Sequence, residues 1–188
     1  MSVRNLLELP DDLPVPDDDG ACDHLPGLRL PSVPLPATDG RSIDLATLTG
    51  RVIVYAYPRT GRPDQPIPDG WDMIPGARGC TPQSCAFRDL YQELQTLGAD
   101  VFGLSTQDTD YQREAAARLH LPFPLLSDSN LALTRALRLP TFVVEGMTLT
   151  KRLTLIVRDG TIEHFFYPVF PPNHNAADVI DWLSQHPT

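Results

Sequence analysis

The sequence predicts an α/β layered domain, and three observations carry that prediction. The apolar run Val52-Ile53-Val54-Tyr55-Ala56-Tyr57 reads as a buried strand. Helix-periodic stretches follow it and alternate with a second apolar strand, Asp100-Val101-Phe102-Gly103-Leu104-Ser105. Late in the chain, two β-rich runs flank Arg158-Asp159-Gly160, and Asp-Gly is a strong hairpin signal. Strands interleaved with helices must bury the sheet under helical layers.

Length and composition set the bounds. With 188 residues, 20.8 kDa and 41% hydrophobic content, the chain has enough material for one domain with a real core. A net charge of −9 and a pI near 4.8 argue against nucleic acid or an acidic membrane surface as partner. No apolar run approaches the roughly 20 residues that span a bilayer. The start, Met1-Ser2-Val3-Arg4-Asn5-Leu6-Leu7-Glu8-Leu9-Pro10, lacks a secretory signal's long apolar segment. Three cysteines, an odd number, do not suggest a disulfide framework, so a cytoplasmic location is the default expectation.

In chain order, residues 1–27 form a proline-rich acidic N-terminal segment, with Asp11, Asp12, Asp17, Asp18 and Asp19, and residues 28–188 the domain. Cys22 lies in that segment beside His24. The pair is either an alternative resolving thiol or half a metal site, or simply an incidental thiol. The last is favoured, because Cys-x-His lacks the further ligands of a zinc site. Residues 28–49 read as a strand, a turn at Thr38-Asp39-Gly40, a second short strand and a short helix. Residues 61–74 form a loop with Pro63, Pro66 and Pro68, ending on Trp71 and Met73. It is a lid beside Cys80 or a surface excursion anchored by its tryptophan.

The richest stretch is 75–97. Gly76 and Gly79 allow a tight turn before Cys80. Thr81 suits an N-cap and Pro82 the first helical turn. Phe87, Leu90, Tyr91, Leu94 and Leu97 then give one apolar face of a single helix. Cys80 at its mouth feels the positive dipole end and free backbone N–H groups, which favour the nucleophilic thiolate. Cys85 is five residues on. In an unbroken helix the two point about 140° apart and differ by about 7.5 Å along the axis. A disulfide wants Cα atoms roughly 4.4–6.8 Å apart, so the pair bonds only if the first turn unwinds.

Beyond the second strand, 108–119 reads as a helix with Tyr111, Ala115 and Leu119 inward, and His120 favourable at its end. Residues 122–126 are extended. Residues 130–137 are helical, with cap candidates in 127–130. Arg152 opens the first hairpin strand, where by itself it reads as a surface partner of Glu163. Arg78 is expected to face solvent. The last helix, 175–185, has Asn175 as its cap, Asp178 in its first turn, and Ala176, Val179, Ile180 and Leu183 on its apolar face. His174 belongs to the preceding loop.

The string Gly79-Cys80-Thr81-x-x-x-Cys85-x-Phe87-Arg88-Asp89 resembles the peroxiredoxin Q group, also called bacterioferritin comigratory protein, from about Leu30 onward. The resemblance implies a thioredoxin-like fold, a central mixed sheet flanked by helices with an N-terminal extension. It implies a thiol-dependent peroxidase for hydrogen peroxide or organic hydroperoxides, with Cys80 peroxidatic and Cys85 resolving. Thioredoxin or a similar dithiol would be the reductant. The resemblance further implies a monomer that needs no metal or organic cofactor. Arg152-Leu153-Thr154-Leu155-Ile156 matches the place where the family's arginine packs beside the reactive cysteine. One departure stands out. The family's threonine or serine three residues before the cysteine is Ala77 here, and residues 61–74 separate Tyr57-Pro58 from Cys80. Thr60 and Thr81 are the candidate replacement hydroxyls. Two other functions remain open. A protein thiol–disulfide oxidoreductase lacks support because there is no Cys-x-x-Cys, and a non-enzymatic redox-sensing or binding module draws its support from Ala77.

Overall fold

The computed structural model describes residues 5–188. Its centre is β3 (Arg51–Ala56), buried at every position. Strand β4 (Ala99–Ser105) runs parallel to it on one side and β8 (Leu153–Arg158) antiparallel on the other. Adding β5 (Leu125–Ser127) and β9 (Thr161–Phe166) gives a five-stranded mixed sheet in the order β5-β4-β3-β8-β9. This is the thioredoxin-like plan.

The period-2 alternation of β3 builds two cores. Val52, Val54 and Ala56 face one side, with Phe102, Leu104, Leu153 and Leu155. That side is covered by Cys22, Leu25 and Leu30, by the hairpin β1 (Pro34–Pro36) and β2 (Ser42–Asp44), and by α4 (Ala132–Ala136) through Leu133. Ile53, Tyr55 and Tyr57 face the other side. There they meet α1 (Cys80–Asp89), α2 (Tyr91–Thr96) and α5 (Asn175–Gln185) through Phe87, Leu94, Val179 and Leu183. The ring of Tyr55 stacks on Phe87 at 4.5 Å, and its hydroxyl donates to Ser84 at 3.0 Å. One strand residue thus sets the height and rotation of α1 over the sheet.

Several local expectations change. The single helix across 80–97 is two, broken at Leu90 (φ −100°, ψ 7°), although its apolar face continues through Phe87 and Leu94. The cap of α1 is Gly79, in the left-handed region at φ 108°, and Thr81 lies inside the helix. A threonine at that φ would be strained, so the glycine takes the turn. Asn175 is the first helical residue of α5 and makes no cap; its side chain points inward. In contrast, Asp108 caps α3 (Thr109–Arg118) by accepting from the Tyr111 N–H at 2.8 Å. Asp128 accepts from the Leu133 and Thr134 N–H groups at the start of α4.

A further hairpin, β6 (Thr141–Val144) with β7 (Met147–Thr150), turns at Glu145-Gly146 and has no counterpart among the expected elements. It packs on the 61–74 loop. Trp71 is buried with Ala77 and Leu149 and meets Phe142 at 6.1 Å between ring centroids. The tryptophan therefore anchors the loop, as one expectation had it. No helix among the described residues is long and apolar enough to cross a membrane.

Two stability outcomes follow from this packing. A Cβ on Gly103 would lie 2.4 Å from Leu125 Cδ2 and 2.9 Å from Tyr55 Cζ. Gly103→Ala is expected to cost about 1–3 kcal/mol in denaturant unfolding. His164 stacks on Trp182 at 5.0 Å, and Trp182 stacks on His186 at 4.1 Å. Burial, and secondly the charge of His186, lower the His164 pKa below the ordinary value of about 6.5. The unfolded chain therefore binds the proton more readily. The His164 contribution is complete above about pH 6.5 and is lost as the pH falls towards the lowered value. His164→Phe should flatten the fall in melting temperature over that window.

Candidate active site

The site forms where the end of β3, the first turn of α1 and the start of β8 converge. Residues 76–79 bend the chain with positive φ at Gly76 (77°) and Gly79 (108°). The bend turns the carbonyls of Gly76, Ala77 and Arg78 towards one point, and Arg152 fills it. Its Nη2 donates to all three carbonyls, at 3.3, 3.1 and 3.2 Å, and to Cys80 Sγ at 3.2 Å. Its Nη1 donates to Gln83 Oε1. Arg152 is 3% exposed and lies within ion-pair distance of no carboxylate among the described residues. Cys80 is thus the one ionisable side chain, among the described residues, to which its guanidinium donates. A buried cation without a counter-charge is costly, and negative charge on this sulfur relieves the cost. Glu163, the alternative partner, is taken by Arg51 at 2.8 Å and Arg158 at 3.4 Å.

Cys80 is the first residue of α1 and is 3% exposed. Above it is a recess of about 20 Å³, bordered by Leu6, Ile67, Trp71 and Thr81 among others. That volume holds about one water-sized molecule. Arg78, expected at the surface, is buried. It pairs with Asp72 at 3.3 Å and donates to the carbonyls of Asn5 at 2.9 Å and Glu8 at 3.3 Å. This ties the N-terminal segment across the mouth of α1. The same segment continues over a groove of about 670 Å³ where Leu9, Pro10 and Leu13 face Cys85 and Ala86.

Cys85 is half-buried on the intact helix, and both it and Cys80 are free thiols. Burial is the first cause raising the Cys85 pKa; Asp89 adds to it and Arg88 opposes it. Cys22 is fully buried in the core of the opposite sheet face, where desolvation and then Asp19 push its thiol up to about 12. His24 bonds the Leu137 carbonyl at 2.8 Å. Thr60 is fully buried; its hydroxyl donates to Gln107 Oε1 at 3.3 Å, and it does not border the Cys80 recess. Thr81 does border it.

One polar residue at the site, Gln83, lies outside the residues singled out above. Gln83 is fully buried on the inner side of α1 and donates to Asn175 Oδ1 at 3.0 Å. A polar residue three positions after Cys80, on a helix face otherwise read as apolar, was the available signal.

Comparison with known proteins bears on the family and the fold. The Redoxin family model matches residues 25–180. Peroxiredoxin Bcp of Escherichia coli is 31% identical over 161 residues, covering 83% of this chain and 93% of that protein. The chloroplastic peroxiredoxin Q of Oryza sativa subsp. japonica is 30% identical over 159 residues, covering 84% of this chain; the match spans 65% of the rice protein's length. Peroxidoxin BcpB of Mycobacterium tuberculosis superposes with a TM-score of 0.70 at 23% identity, over 88% of this chain and all (100%) of that one. The bacterioferritin comigratory protein of Xanthomonas campestris, described for its alkyl peroxide reduction activity, superposes at 0.63 with 22% identity, over 93% and 99%. With its motif, sheet order and relatives in agreement, this chain belongs to the redoxin family, in the peroxiredoxin Q/Bcp group.

Proposed function

We propose that the protein is a thiol-dependent peroxidase that reduces hydrogen peroxide or an organic hydroperoxide at Cys80. The observation that carries this is the Nη2 of Arg152, 3.2 Å from Cys80 Sγ, on a buried guanidinium with no carboxylate partner among the described residues. The thiolate attacks the terminal peroxide oxygen. The S–O bond forms, the O–O bond breaks, and the leaving oxygen takes a proton and departs as water or alcohol. Arg152 meets the negative charge that develops on the leaving oxygen. Thr81, bordering the recess, supplies the hydroxyl that Ala77 cannot; Thr60 is committed to Gln107.

The sulfenic acid is then resolved by Cys85. Because α1 is unbroken from Cys80 to Asp89, its first turn must unwind for the sulfurs to meet. The Cys85 thiol displaces water from the sulfenic sulfur, and a disulfide forms. Thioredoxin or a similar dithiol reduces it by exchange, being oxidised in turn. That requirement places the cycle in a compartment that supplies dithiols.

Reduced protein given one equivalent of hydrogen peroxide should lose two hydrogens, mapped to Cys80–Cys85. Cys85→Ser should stop at an oxygen adduct on Cys80, and Cys80→Ser should stay unmodified. Peroxide turnover retained in Cys80→Ser would remove the proposal, and a disulfide to Cys22 would reassign the resolving thiol. Arg152→Lys keeps the charge but loses the planar fork that the three carbonyls hold. Its rate constant with hydrogen peroxide, followed by stopped flow, is expected to fall about 10²-fold.

A further inference from the structure

We propose that Asn175 is a positioning residue for Arg152, acting through Gln83. The inference rests on the peroxidase reading of Cys80 and adds a group from the C-terminal helix to it.

The hydrogen-bond polarity of the cluster is forced. A guanidinium has donors only, so Gln83 must turn its Oε1 to Arg152 Nη1. That leaves Gln83 Nε2 facing α5, where it donates to Asn175 Oδ1 at 3.0 Å. Thr154 Oγ1 donates to the same oxygen at 2.7 Å. With the amide of Asn175 flipped, its Nδ2 would meet Gln83 Nε2 donor to donor; Gln83 would have to turn as well, and would then face donors to an arginine that cannot accept. Arg152, Gln83, Thr154 and Asn175 are all buried, at 3%, 0%, 0% and 1% exposure.

Asn175 bears a cost in this place. Its Nδ2 is buried without a hydrogen-bond partner among the described residues. As the first residue of α5 it also makes no side-chain cap. A half-satisfied buried amide calls for a reason. The oxygen it offers is the reason: it holds the Gln83 amide in the one orientation that presents an acceptor to Arg152. The same bond ties the first turn of α1 to α5, and that turn is the one that must unwind for Cys85 to reach Cys80. Asn175 therefore acts in opposite directions on two steps. It speeds the attack on peroxide by fixing Arg152, and slows disulfide formation by holding the turn.

The test follows both steps by stopped flow and quenched mass analysis. In Asn175→Leu, the rate constant of Cys80 with hydrogen peroxide is expected to fall about 10- to 100-fold, as for a misplaced catalytic group. The Cys80–Cys85 disulfide should form about 2- to 10-fold faster, the span of one hydrogen bond. Asn175→Asp keeps the acceptor, and its peroxide rate should stay within about tenfold of wild type. Gln83→Glu supplies the decisive background. A carboxylate offers Arg152 an oxygen whichever way it turns, so adding Asn175→Leu there should cost less than about twofold. An equal loss in both backgrounds would assign Asn175 a packing role and overturn the proposal, as would a peroxide rate unchanged by Asn175→Leu. If Asn175→Leu fails to fold, judged by its thermal melt, a loss in Asn175→Asp as large as that of Asn175→Ala overturns it instead. Alkylation of Cys80 by iodoacetamide is read in parallel and should show the same pattern. A wild-type Cys80 inert to peroxide would remove the peroxidase reading, while the alkylation rates still decide the role of Asn175.

Discussion

Much of the site is arranged to keep one cation dry. Arg152 sits at the start of a central strand and is 3% exposed, with no carboxylate partner among the described residues. Three backbone carbonyls, one amide oxygen and one sulfur surround it instead. Carbonyl dipoles offset only part of the cost of such burial. The Cys80 sulfur, 3.2 Å from Nη2, completes the arginine's shell. The tight bend at 76–79 exists to turn the carbonyls inward, and its glycines are the residues that allow it.

The sheet holds this arrangement rigid from below. Tyr55 stacks on Phe87 and bonds Ser84, which locks α1 against β3. Asn175 reaches the same turn from α5. From above, the 61–74 loop walls the recess through Gly61, Ile67 and Trp71, and the β6–β7 hairpin packs with Trp71 in a small cluster of its own. The proposed cycle, which needs an ordered first turn and then a disordered one, thus acts on a turn held by a few side-chain contacts. Those contacts lie where their loss is local.

The framework was legible in the sequence because it depends on local pattern. The all-apolar run at 52–57, the Asp159-Gly160 turn and the helix period over 175–185 each carry a short-range signature, and each appears in the structure. Cys80 and Arg152 became visible through a motif, and the structure brings them together across 72 residues of chain. What stayed hidden depends on partners distant in sequence. Arg78 looks like a surface residue until the carbonyls of Asn5 and Glu8 arrive to accept from it. Gln83 and Asn175 look like an ordinary helix residue and an ordinary cap; only burial beside a donor-only arginine makes them polar necessities. Thr81 lost its expected capping role because Gly79 reaches a φ of 108° that threonine avoids.

The N-terminal segment carries a consequence for how the molecule is made. Leu6 borders the Cys80 recess, Leu9 packs at Gly79, and Leu13 faces Cys85. Their ties reach far along the chain, from Arg78 to Asn5 across 73 residues and from Tyr167 to Asp19 across 148. Contacts of such separation form late, since the intervening chain must be ordered first. During synthesis, then, the cover emerges before the residues it shelters and is seated after them. Both sulfurs pass through a stage in which they are present but not yet sheltered, so a newborn chain presents a more open site than the folded one.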